Sequence, residues 1–121
     1  MIVADTNAWL LPFRDGIDVR GEVERIVGAD DWCVPSSVQE ELRTLAQGDG
    51  AAARAASGAL RLLEGLPIEA TELPGDDGVL EVARRTGAVV VSNDKRLGQE
   101  ALRSGLRVLH VRGVGLEERH R

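Results

Sequence analysis

The sequence predicts an α/β three-layer sandwich, a central parallel sheet with helices on both faces. Short apolar runs alternate with helix-length amphipathic stretches along nearly the whole chain, which is the pattern of repeated βα units. The run Ala88-Val89-Val90-Val91 is uninterrupted and mostly β-branched, as in a strand buried on both faces of a parallel sheet. The chain has 121 residues, 43% of them hydrophobic. That suffices for one core and leaves little room for a second.

Ile2-Val3-Ala4 is a short apolar strand that ends in Asp5. A helix begins over Asn7 to Leu11, and Pro12, which has no N–H to donate, interrupts it. Val19, Val23, Ile26 and Val27 recur at helical spacing, and Gly28 closes that helix. Trp32-Cys33-Val34 is a second strand before Pro35. Ser37 and Glu40 have the spacing of a capping box. They open a helix whose apolar face is Val38, Leu42 and Leu45, broken by Gly48 and Gly50. Ala51 to Leu63 is the next helix, with Ala52, Ala56, Ala59, Leu60 and Leu63 turned inward. Leu66 to Ala70 is a weak strand, Pro74-Gly75 a turn, and Asp76 to Arg85 a helix stopping near Gly87. After the valine strand come Asn93-Asp94, a helix to Ser104 closed by Gly105, and a last strand over Leu106, Val108, Leu109 and Val111. The domain is expected over residues 1–113, and 114–121 as a charged C-terminal tail that frays.

Composition narrows the function. A net charge of −5 argues against a basic nucleic-acid coat. The aromatic residues are Trp9, Phe13 and Trp32, too few for a base-stacking platform. The one cysteine, Cys33, sits in an apolar run and reads as a small buried hydrophobe. It excludes an intrachain disulfide framework or a cysteine–zinc site and suits a reducing cytoplasm. No apolar run approaches the ~18 residues of a bilayer span, and the start lacks a basic region followed by a long apolar stretch. A cytoplasmic protein with no membrane association is expected. His110 and His120 receive no catalytic role.

The acids are the informative residues. In parallel α/β sheets, ligands bind beyond the carboxyl ends of the strands. Asp5 ends the first strand and Asp94 directly follows the valine strand. Each is also placed to cap the following helix. At ~100° per residue, Glu41 lies within about 70° of the centre of the Val38-Leu42-Leu45 face. Glu40 points the other way. Asp76 shares the periodic face of Val79, Leu80 and Ala83, whereas Asp77 is turned by about 100° from it. Four carboxylates at one sheet edge repel one another unless a cation sits among them. Oxygen-only ligands point to Mg²⁺ or Mn²⁺ rather than zinc. Such an ion can activate water and stabilise charge on a phosphate in transfer.

These residues resemble the motifs of PIN-domain nucleases. Asp5-Thr6-Asn7 after an apolar strand resembles the opening motif. Val34 to Leu42 resembles the second, with its acid on Glu41. Asp76-Asp77-Gly78-Val79-Leu80 with Ala83 resembles the third, with its acid on Asp76. Val91-Ser92-Asn93-Asp94-Lys95-Arg96-Leu97 resembles the fourth, with its acid on Asp94. Together they cover about residues 1 to 113. Two departures are visible: Ser92 stands where threonine is common, and Gly78 weakens its helix by about 1 kcal/mol relative to alanine.

The resemblance implies a Mg²⁺- or Mn²⁺-dependent endoribonuclease with Asp5, Glu41, Asp76 and Asp94 as catalytic metal ligands. Asn7 and Ser92 would orient carboxylates or touch the phosphate, and Lys95 and Arg96 would hold the RNA backbone. Family members include toxins of toxin–antitoxin pairs and factors that mature ribosomal RNA. The implied partners are therefore an RNA substrate, a protein antitoxin or a ribosome-assembly partner, and a second copy in a homodimer. One alternative is a non-catalytic PIN fold serving as an RNA-binding or assembly module. Another is a receiver-type Mg-binding signalling domain, which normally carries paired acids after its first strand; here Thr6 and Asn7 follow Asp5.

Overall fold

The computed structural model describes residues 1–120. In chain order these form β1 (Ile2–Ala4), α1 (Thr6–Arg14), α2 (Val19–Val27), β2 (Val34–Pro35), α3 (Ser36–Ala46), α4 (Gly50–Leu63), β3 (Ile68–Glu69), α5 (Gly75–Thr86), β4 (Val89–Val91), α6 (Lys95–Arg103), β5 (Val108–Arg112) and β6 (Gly115–Arg119).

The main sheet runs β1-β4-β5-β6. β1, β4 and β5 are parallel, with Ala4 opposite Val91 and Val91 opposite Leu109. A parallel bridge between Ile2 and Trp32 leads from β1 to the separate parallel pair β2-β3. Ile2, Val3 and Ala4 are all fully buried. Successive strand side chains point to opposite faces, so β1 is covered on both sides, as the sandwich requires. The chain leaves β1 toward β2 on one side, and β4 pairs on the other. The β1/β4 junction is therefore the switch point of the sheet, where a crevice opens at the strand ends.

Several local expectations change. Pro12 lies inside α1, which runs on to Arg14. Proline removes one donor there, and the freed end is tied off by Asp15 and Ile17 N–H groups donating to the Leu11 carbonyl. The expected Trp32–Val34 strand is split: Trp32 bridges to β1, while Val34 and Pro35 pair with β3. No capping box forms at α3, because the helix starts at Ser36 with Pro35 at the cap. The Ser36 hydroxyl accepts from the Thr71 N–H at 3.0 Å and donates to its carbonyl at 3.2 Å. Ala52 and Leu45 are exposed, and the inner face of α4 is Ala53, Ala55, Ala56, Gly58, Ala59 and Leu63.

The tail does not fray as expected over its described part. Residues 115–119 form β6, antiparallel to β5. Glu22 of α2 accepts from the Leu116 N–H at 2.9 Å, and Leu116 is buried. Arg121 lies outside the described residues.

The three aromatic residues divide between core and surface, Phe13 being exposed. Trp9 and Trp32 are core residues with ring centroids 5.0 Å apart, and Phe13 packs over Gly58 between α1 and α4. Cys33 is fully buried, and burial pushes its thiol up to about 11, so it is an inert core residue.

Candidate metal centre

Asp5 is held at the switch point by three elements at once. Its N–H donates to the Val91 carbonyl at 3.2 Å, which extends the β1–β4 ladder by one residue. Its Oδ1 caps α1 by accepting from the Ala8 N–H at 2.8 Å. Its Oδ2 accepts from the Ser92 hydroxyl. Ser92, 2% exposed, in turn accepts from the Asp94 N–H at 3.0 Å. One hydroxyl thus orients the acid of the first strand and the backbone carrying the acid after the fourth. Asp94 caps α6 through Oδ1, which accepts from the Leu97 N–H at 2.8 Å. Capping and site roles coexist, since the capping contact takes up one carboxylate oxygen of Asp94.

The four predicted acids share one place. Asp5, Glu41 and Asp76 line a single recess with Thr6, Asn7, Gly75 and Val79. Asp5 and Asn7 continue into an adjoining recess lined by Ala8, Leu11, Asn93 and Asp94. Asp5 is 5% exposed, and burial raises its pKa despite the donors from Ser92 and Ala8; the charges of Asp76 and Asp94 push the same way. Asp76 is half-buried, and burial again raises its pKa most. The charge of Asp94 adds to this, Arg96 opposes it, and a hydrogen-bond contact with Asp94 and the charge of Glu41 raise it further. Asp77 is exposed and pairs with Arg96 at 3.3 Å.

Glu41 is more exposed than its helical phase suggested. It stands at the rim, where α3 passes Gly75 at the start of α5. Among the described residues, no three acidic, histidine or cysteine side chains are grouped closely enough to hold a metal ion between them. The acids border an open recess instead. The donor set would suit a hard divalent cation: every side chain offered is an oxygen donor, and the charges that raise the pKa values of Asp5 and Asp76 are what such an ion would relieve.

The basic residues lie around this rim. Lys95 and Arg96 begin α6 directly after Asp94, and both are exposed. Asn7 is exposed, and Arg14 Nη1 lies 3.5 Å from its Oδ1. Sequence reasoning did not single out Thr6, Gly75, Asn93 or Arg14 for the site. Gly78 was read as a weak point, yet a Cβ there would meet Ser37 Oγ at 2.6 Å and Thr71 Cγ2 at 3.1 Å. Its missing side chain lets α5 approach α3 and carry Asp76 into place.

A family profile described as a PIN like domain matches residues 2–114. A curated relative, Ribonuclease VapC9 of Archaeoglobus fulgidus, is 32% identical over 111 residues, covering 91% of this chain and 82% of that protein.

Proposed function

The chain belongs to the PIN-like domain family, and on that footing we propose that it is a divalent-metal-dependent endoribonuclease hydrolysing RNA phosphodiester bonds. The observation that supports this most is the convergence of Asp5, Glu41, Asp76 and Asp94 at the switch point, with burial and mutual charge raising the pKa values of Asp5 and Asp76. Asp5, Asp76 and Asp94 would hold Mg²⁺ or Mn²⁺, with Glu41 reaching it directly or through water. When bound, the cation supplies counter-charge and makes a water more acidic.

The remaining roles belong to the chain. Ser92 orients Asp5 and the backbone at Asp94. Asn7, Lys95 and Arg96 stand where an RNA backbone would approach, and hold its phosphates. In an acidic protein they confine RNA attraction to the rim, so binding relies on the loaded site more than on bulk charge.

Likeness to Ribonuclease VapC9 favours the toxin-type branch over ribosomal RNA maturation. A protein antitoxin is then the expected partner and the cytoplasm the expected compartment. Among the described residues, no helix is long and apolar enough to cross a membrane.

The test is incubation with structured and single-stranded RNA, with and without Mn²⁺, comparing wild type with Asp94→Asn. Cleavage that needs both Mn²⁺ and Asp94 supports the proposal. RNA bound but left intact under every metal condition would favour the non-catalytic module.

A further inference from the structure

The acidic recess also contains a hydroxyl with nothing to bond to. Thr6 is 8% exposed and lines the recess beside Asp5, Asn7, Glu41 and Asp76. Its Oγ1 is buried without a hydrogen-bond partner. A buried donor left unmade is destabilising, and burial without a partner is rare enough to need a reason. Ser37 carries a second such hydroxyl, but it lies against Gly78 and borders a neighbouring recess with Glu40 and Glu41, away from Asp5 and Asp76. Thr6 differs in sharing its recess with Asp5 and Asp76.

Thr6 is also the first residue of α1, a nine-residue helix. The first-turn N–H groups of a helix have no helical carbonyl to bond. Asp5 takes the one on Ala8, which leaves those of Thr6 and Asn7 as donors. Helix N-termini of this kind favour anions. Arg14, on the same helix, lies against Asn7 and makes no ion pair with a described residue. The recess thus brings three acids beside a helix start whose first N–H groups have no helical partner.

We propose that Thr6 is a substrate-positioning residue, its hydroxyl donating to a non-bridging phosphate oxygen of RNA held between the α1 N-terminus and the acids. This rests on the ribonuclease reading above. It adds a binding wall to the site, with Asn7 and Arg14 at its outer edge.

The experiment compares Thr6→Val, which keeps the shape and removes the hydroxyl, with Thr6→Ser, which keeps the hydroxyl. Steady-state cleavage of single-stranded RNA in Mn²⁺ is measured with calorimetric Mn²⁺ titration and thermal melting. Thr6→Val should lower kcat/KM about tenfold, with Mn²⁺ affinity within about twofold of wild type and a melting temperature unchanged or higher. Thr6→Ser should recover most of the lost kcat/KM. Wild-type kcat/KM in Thr6→Val would overturn the inference. So would a loss that Thr6→Ser fails to recover, or one matched by an equal loss of Mn²⁺ affinity. Absence of cleavage by the wild-type chain would overturn the ribonuclease reading itself, and this inference with it.

Discussion

Replacing Gly78 by alanine sets two effects of similar size against each other. Helix propensity favours alanine by about 1 kcal/mol in a helix interior, and Gly78 lies inside α5. Packing opposes it. The new methyl would meet the Leu73 carbonyl oxygen, Ser37 Oγ at 2.6 Å and Thr71 Cγ2 at 3.1 Å. The carbonyl is backbone and yields to no rotamer change, whereas the Ser37 hydroxyl is held by no hydrogen bond and can turn aside only at the expense of its present packing. Overpacking of this kind costs about 1–3 kcal/mol, and two tight neighbours, one of them backbone, place it in the upper part of that range. The net expectation is a loss of about 1–2 kcal/mol. Urea unfolding should show a lower midpoint with an unchanged slope. The melting temperature should fall by roughly 4–10 °C for a domain of this size. Relief of the clash also pushes α5 away from α3, so Asp76 moves relative to Glu41 and RNA cleavage falls further than stability alone explains. A Gly78→Ala variant as stable as wild type would refute the close-approach argument and return Gly78 to the role of a mere weak point.

Ser92→Ala removes the hydroxyl that donates to Asp5 and accepts from the Asp94 N–H; cleavage should drop about 10–100-fold, with Ser92→Thr close to wild type, and equal rates for all three would remove Ser92 from the site. Asp5→Asn should abolish cleavage in Mn²⁺ while the melting temperature in metal-free buffer stays level or rises, because a buried, repelled charge is lost; full activity of the variant would defeat the ligand assignment. Glu22 has its pKa lowered to about 2, first by its hydrogen bond from Arg25 and then by the Leu116 N–H. Its folded pKa lies below its unfolded value, so its contribution to stability is present above about pH 4.5 and disappears as pH falls toward about 2. The stability difference between wild type and Glu22→Gln should therefore shrink over that window in acid-dependent urea titrations, and a constant difference would argue against the β6 anchor.

What could be read from the sequence was whatever depends on short-range pattern. The β-branched run 89–91 and the periodic face of α5 each name an element and a buried side without any partner being known. β6 was missed for the opposite reason. Gly115 to Arg119 has no alternation to announce a strand, since Leu116 is its one large apolar residue. Its place is set by β5 opposite and by Glu22, which lies 94 residues earlier. The capping box at α3 failed in the same way: Ser36, not Ser37, found a partner, and that partner is Thr71 on a distant segment. Local pattern proposes the bond, and tertiary contact decides which hydroxyl makes it.

The site divides along the same line. Strand ends and helix phase located Asp5, Asp76 and Asp94, because a sheet of this topology brings its carboxyl edges together whatever the loops do. Glu41 was placed by phase and by the second motif, and stands farther out than phase implied, at the rim beside Gly75. Thr6 left no pattern at all. A threonine after a capping aspartate reads as ordinary helix-start chemistry, and its significance appears only when its hydroxyl proves buried and unbonded in the recess. Acceptors that gather a cation can be counted from sequence. On the proposed reading, donors that wait for a substrate oxygen are recognisable only by the bonds the folded chain leaves unmade, and both acids and donors would be needed to bring RNA and cation together.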